Sequence, residues 1–116
     1  PNGRRIGDLL VSGGTVVIPG LPAYRADLLI SYERPLLREG ATISEIGDLG
    51  EVEARDTISL EGLDVHPRDR ALDRSGGGTQ IRPGAQAYFA VSRRADGRDP
   101  LWVFRGALPP ELEERR

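Results

Sequence analysis

Residues 79–107 read TQIRPGAQAYFAVSRRADGRDPLWVFRGA and hold the only Trp, both Phe and one of the three Tyr of the chain. Side chains alternate across a β-strand. Ala85, Ala87, Phe89 and Val91 therefore fall on one face, and Gln86, Tyr88, Ala90 and Ser92 on the other. Pro83-Gly84 launches this strand. The return strand covers residues 101–105, with Trp102 and Phe104 on one face and Leu101 and Val103 on the other. Apolar residues on both faces are the mark of a central, covered strand. Between the two runs, Asp96-Gly97 supplies turn chemistry, and charges at Arg93, Arg94, Arg98 and Asp99 hold the tip in water. The stretch predicts a β-hairpin with a long polar tip.

Composition sets the frame around that hairpin. The chain has 116 residues, 38% of them hydrophobic and 29% charged. It is long enough for a hydrophobic core without staples, and it reads as one domain over residues 1–116. Fifteen Gly and nine Pro, with few helix-period patterns, favour an all-β fold with many turns. Net charge is −2, so no global field attracts nucleic acid or an anionic membrane, and nucleic acid is not the expected partner. All sixteen basic residues are Arg, a bias that a GC-rich genome produces without function. Cys is absent, which removes disulfides and thiolate chemistry and leaves the compartment open. No apolar run approaches the ~20 residues of a membrane-spanning helix. Met is absent too; a start at Pro1 fits removal of an initiator Met, an excised domain or a processed secreted protein.

Outward from the hairpin, residues 1–5 read as a solvated arm. Residues 8–19 place two β-rich runs around Gly13-Gly14, which predicts a two-residue hairpin of the primed type. Residues 24–33 form the cleanest half-buried strand. Tyr24, Ala26, Leu28, Ile30 and Tyr32 share one face, Arg25, Asp27 and Ser31 the other, with Leu29 the exception. Pro35 ends it, and Arg38-Glu39-Gly40 is a turn. A short strand covers 41–46, a turn 47–50, and another strand 51–61. In the last, Val52, Ala54, Ile58 and Leu60 face inward and Asp56 sits on the apolar side, at a bend or edge. Parity flips beyond Gly62, which predicts a bulge or kink there. Residues 67–78 are a long loop, with one helical turn over 69–73. Pro109-Pro110 followed by acidic residues begins a short C-terminal helical tail over 109–116.

The residues that could carry chemistry are sparse. Asp64, His66 and Asp69 combine imidazole and carboxylates, which are ligands for a divalent metal; their spacing matches no defined motif, and a solvated loop is the better explanation. Asp48 with Glu51, and Asp96 with Asp99, could offer oxygens to calcium, but turn chemistry accounts for both. Gly76-Gly77-Gly78 lacks a phosphate-binding Lys and a following helix. Arg93, Arg94 and Arg98, with Arg82 and Arg105, make a basic cluster beside Tyr88 and Trp102, partly neutralised by Asp96 and Asp99. No G-x-S-x-G occurs, and one His leaves one imidazole base.

The run 79–91, with its apolar residue, its Pro-Gly pair and its Phe89-x-Val91 alternation, resembles the Pro-Gly-led strand of bacterial immunoglobulin-like accessory modules. The resemblance covers about a tenth of the chain, and the Cys…Trp…Cys pattern of antibody-type domains is missing. It implies a β-sandwich used for binding, spacing or assembly, and it carries no catalytic residues across.

Together these readings predict an antiparallel β-sandwich of about 7–8 short strands, or a small β-barrel. The expected function is non-catalytic: a structural or protein-interaction module in a larger assembly or multidomain protein, such as a virion or cell-surface component of bacterial or viral origin. Protein contact or self-association would use Arg93, Arg94, Asp96, Arg98 and Asp99 on the hairpin tip, the loop 67–78, and Leu112 in the tail, since loops on a rigid scaffold carry binding. No cofactor is expected. The alternative is a ligand- or metal-binding barrel, enzymatic or not, built on Asp64, His66 and Asp69.

Overall fold

A computed structural model describes residues 5–68, 81–93, 96 and 98–106. These residues form seven strands and no helix: β1 (Arg5–Val16), β2 (Tyr24–Arg34), β3 (Glu39–Gly47), β4 (Val52–Ser59), β5 (Asp64–Pro67), β6 (Phe89–Ser92) and β7 (Trp102–Phe104). All seven belong to one sheet of order β3-β2-β1-β5-β6-β7, with β4 also paired to β1. The all-β class expected from the sequence is therefore found. The sheet is mixed: β1 pairs antiparallel with β2 but parallel with both β4 and β5, which corrects the expectation of antiparallel pairing. The C-terminal helical tail over 109–116 and the helical turn over 69–73 lie outside the described residues.

β1 is the axis of the sheet, and Gly13-Gly14 lies inside it. The two glycines do not turn a hairpin. In the register, Val11 faces Leu28 and Gly14 faces Ala26, so β1 spends one residue more than β2, which is a β-bulge. Gly13 adopts φ +75°, a conformation open to Gly without steric cost. The opposite edge of β1 is matched by a larger jog. Ser12 pairs with Ser59 and Thr15 with Asp64, so β4 and β5 are successive partners of one strand, separated by a turn closed by the Leu63 amide donating to the Leu60 carbonyl at 3.0 Å. Gly62, at φ +80°, makes that turn, as the parity change predicted. Arg5 belongs to β1 rather than to a solvated arm: its Nε is 2.8 Å from Glu45 Oε1 and its Nη1 donates to the Leu49 carbonyl at 3.0 Å.

The core collects the inward residues of every strand, among them Leu9, Val11, Leu28, Ile30, Ile43, Ile58, Val65, Phe89, Val91 and Phe104. Phe89 and Phe104 stack with ring centroids 4.9 Å apart, which joins the two strands of the expected hairpin. Its pairing is Phe89 with Phe104, Ala90 with Val103 and Val91 with Trp102. All four residues of β6 are buried, so β6 is the covered strand and β7 is a three-residue edge, the reverse of the expectation for 101–105. Residues 84–87 do not extend β6. They run along the outer edge of β3, where Ile43 donates to the Ala85 carbonyl at 2.9 Å and Ala87 to the Ala41 carbonyl at 2.9 Å. Leu29, the exception on β2, is buried on the face opposite the core residues of that strand; it packs where Gly7 has no side chain, since a Cβ there would stand 2.5 Å from Leu29 Cδ1. No helix of the described residues is long and apolar enough to cross a membrane.

Candidate functional site

Asp64 and His66 lie two residues apart on β5, on the same face of the strand and half-buried, while Val65 between them enters the core. In register, Asp64 stands beside Thr15 and Ser92, and His66 beside Ala90. Asp69 lies outside the described residues. Among the described residues no group of three or more His, Asp or Glu is placed to hold a metal ion. The Gly76–Gly78 run also lies outside them.

On the hairpin tip, Arg93, Asp96, Arg98 and Asp99 are exposed; Arg94 and Leu112 lie outside the described residues. Asp96 Oδ1 accepts the Arg98 amide at 2.9 Å, which is the turn chemistry expected of an Asp at such a site. Arg105 stacks over Tyr88, its guanidinium carbon 5.5 Å from the ring centroid. The Tyr88 ring is thus already engaged from one side by a neighbour of the basic cluster.

An open groove of about 390 Å³ is lined by Ser12, Arg25, Ala26, Asp27, Gly47 and Asp48. Two of its charged groups serve the fold. Asp27 accepts the Gly13 amide through Oδ1 at 2.9 Å and the Leu49 amide through Oδ2 at 3.4 Å. Arg25 pairs with Glu61. Each Asp27 oxygen thus spends one of its lone pairs on a backbone amide.

A second polar group gathers where β1 leaves the β2 ladder at Leu9. The Tyr32 amide donates to Asp8 Oδ2 at 2.7 Å, and the Tyr32 hydroxyl donates to the Gly106 carbonyl at 2.6 Å. Arg38 Nη2 lies 3.4 Å from Asp56 Oδ2. Burial pushes the Tyr32 phenol above its usual pKa; the Arg38 charge works against that, and the Asp8 and Asp56 charges add to it. Asp56, read as sitting at a bend or edge, is on the edge strand β4 with this arginine as its partner.

Two further surfaces are exposed. The β2–β3 turn carries Leu36 at 86% and Leu37 at 65% exposure. The turn backbone is fixed: Leu37 donates to the Arg34 carbonyl at 3.1 Å, Arg38 donates to the Pro35 carbonyl at 3.2 Å, and Arg38 adopts φ +53°. The other surface is the outer side of β4, where Glu53, Arg55 and Thr57 are exposed beside Ile6, itself 68% exposed. The sequence carried a signal for the first: an apolar pair directly after Pro35, where turns are ordinarily polar.

No model of a known protein family matches the chain, and no curated protein matches it. Among solved structures, an N-acyl-D-glutamate deacylase from Bordetella bronchiseptica, determined with zinc and a phosphonate mimic of its tetrahedral intermediate, is similar at 30% identity and a TM-score of 0.43. The similarity covers 54% of this chain and 12% of the deacylase chain.

Proposed function

We propose that this domain is a non-catalytic assembly module, which works by contact with protein surfaces, copies of itself first. The observation that carries the reading is the leucine tip: Leu36 and Leu37 stand in solvent on a turn whose backbone is held by two hydrogen bonds. Solvated turns favour Gly, Pro, Asn, Asp and Ser, and adjacent exposed apolar side chains on a rigid support mark contact surfaces. The carboxylates with catalytic potential support the reading from the other side. Asp8 and Asp27 accept backbone amides, and Asp56 and Glu45 face arginines, so these acids hold strands together. The charged hairpin tip at Arg93, Asp96, Arg98 and Asp99 is a second candidate contact, with Arg94 and Leu112 as sequence neighbours to be tested alongside.

The test pairs two variants. Leu36→Ser with Leu37→Ser should lower the association state while leaving the melting temperature within a degree or two, because neither side chain is in the core. His66→Ala should leave melting shifts with added zinc or calcium unchanged from wild type. Loss in that variant of a metal-induced shift that the wild type shows would favour the rival metal-binding reading over Asp64, His66 and Asp69.

A further inference from the structure

β5, β6 and β7 set their outward residues in rows. In register, Asp64 stands opposite Ser92, and His66 opposite Ala90, which in turn stands opposite Val103. The ladder runs one step beyond the strands. The Arg68 amide donates to the Tyr88 carbonyl at 3.0 Å, which continues the register from Pro67 and Phe89. One step on from Phe89 and Phe104, Arg105 comes opposite Tyr88. Residues directly opposite one another share a face. Arg68, Tyr88 and Arg105 therefore form one row across three strands, on the face away from buried Phe89 and Phe104.

That row carries charge of one sign. Arg68 and Arg105 are exposed, and Tyr88 between them is half-buried. Arg105 lies over the Tyr88 ring, its guanidinium carbon 5.5 Å from the ring centroid. This attraction draws the side chain inward along the row. Among the described residues no carboxylate pairs with either arginine. The one acid among the paired residues of this face is Asp64, four residues from Arg68 and so about 13 Å away along β5. Two like charges without a counter-charge repel each other, and a bound anion removes that cost. The cluster read from the sequence grouped Arg105 with Arg93. The register separates them: Arg93 follows Ser92 at the far end of β6, and Arg68 takes its place.

We propose that Arg68, Tyr88 and Arg105 form a binding site for the diphosphate group of a small molecule. A guanidinium takes a phosphate through two parallel N–H donors. Arg68 and Arg105 stand two strand spacings apart, roughly 10 Å from backbone to backbone. One phosphate engages one fork, and two linked phosphates above the Tyr88 ring engage both. Tyr88 is the floor that holds Arg105 in place. Ala90 and Val103 in the next row are uncharged and leave the organic part of the ligand an uncharged border. The site goes beyond the assembly reading, and neither leucine of the tip belongs to it.

The test is calorimetric titration of inorganic pyrophosphate into the full chain, as wild type, Arg68→Ala, Arg105→Ala, Arg105→Lys and Tyr88→Phe. Circular dichroism verifies that each is folded. The wild type should bind one pyrophosphate per chain, more tightly than orthophosphate and less tightly as salt is raised. Each alanine variant should weaken binding about tenfold. Arg105→Lys keeps the charge without the fork and should fall between. Tyr88→Phe keeps the ring under Arg105 and should stay within about twofold of wild type. No binding by the wild type overturns the site. Binding undiminished in both alanine variants places the anion elsewhere and also overturns it. Arg105→Lys at wild-type affinity would show plain charge attraction and overturn the forked recognition. A single-stranded oligonucleotide that binds more tightly than pyrophosphate, and is lost in both alanine variants, would overturn the small-molecule ligand in favour of nucleic acid.

Discussion

The Gly13 amide donates to Asp27 Oδ1 at 2.9 Å, across the β1–β2 ladder. The bulge takes that amide out of the regular pairing, and the carboxylate replaces the lost partner; the other Asp27 oxygen accepts the Leu49 amide at 3.4 Å. Asp27→Ala leaves the buried Gly13 amide without an acceptor, a cost of about 1–3 kcal/mol. Asp27→Asn keeps one acceptor oxygen and should cost roughly half as much. Urea denaturation of both variants checks the order, and equal losses would contradict it.

Gly13→Ala tests the same bulge from the backbone side. At φ +75° a Cβ is strained, and it would meet the Glu61 carboxylate. The expected loss is above ~1 kcal/mol, read from the denaturation midpoint. A neutral result would mean that the bulge relaxes.

Tyr32 ties β2 to the end of β7 through the Gly106 carbonyl. Tyr32→Phe removes that bond and should cost about 1 kcal/mol near neutral pH. The pH dependence has a definite sign. The folded-state pKa of Tyr32 is raised above its ordinary value, chiefly by burial, so the unfolded phenol loses its proton first. Its contribution is complete below the ordinary tyrosine pKa and declines as pH rises toward the folded value. The alkaline fall in stability should therefore be shallower in Tyr32→Phe than in wild type, measured by thermal melts across the alkaline range.

Arg38 combines a left-handed backbone with an ion pair to half-buried Asp56. Arg38→Gly relieves the backbone but abandons Asp56, while Arg38→Ala loses on both counts. Arg38→Ala should be the less stable of the two by about 0.5–1 kcal/mol. Melting temperatures in the reverse order would show that the turn changes conformation on substitution.

Much of this fold is local enough to read from the chain. The alternation in 85–92 and 101–105 marks the β6–β7 pair, and that in 24–33 marks β2 with Leu29 set apart; the Phe89–Phe104 stack follows only from the register of the pair. Asp56 on the apolar side of its strand marks a bend or edge, and Gly62 marks a change of parity. What could not be read is non-local. Gly13-Gly14 carries one signal for a hairpin turn and for a bulge; the choice is made by Asp27, fourteen residues on. The parallel pairing of β4 and β5 to β1 has no signature within either strand, and residues 84–87 continue the alternation of β6 yet bond to β3. Of the candidate sites, Asp64 and His66 read as members of a loop and lie instead on one face of β5, and Pro35 with Gly40 marks the leucine tip as a plain turn.

The most direct test of the assembly account is the solution mass of the wild-type chain, by light scattering on a sizing column over a wide concentration range. The account predicts a mass that rises with concentration to twice that of the single chain, or to a higher symmetric multiple if the charged hairpin tip adds a second contact. A single-chain mass at every concentration would contradict it.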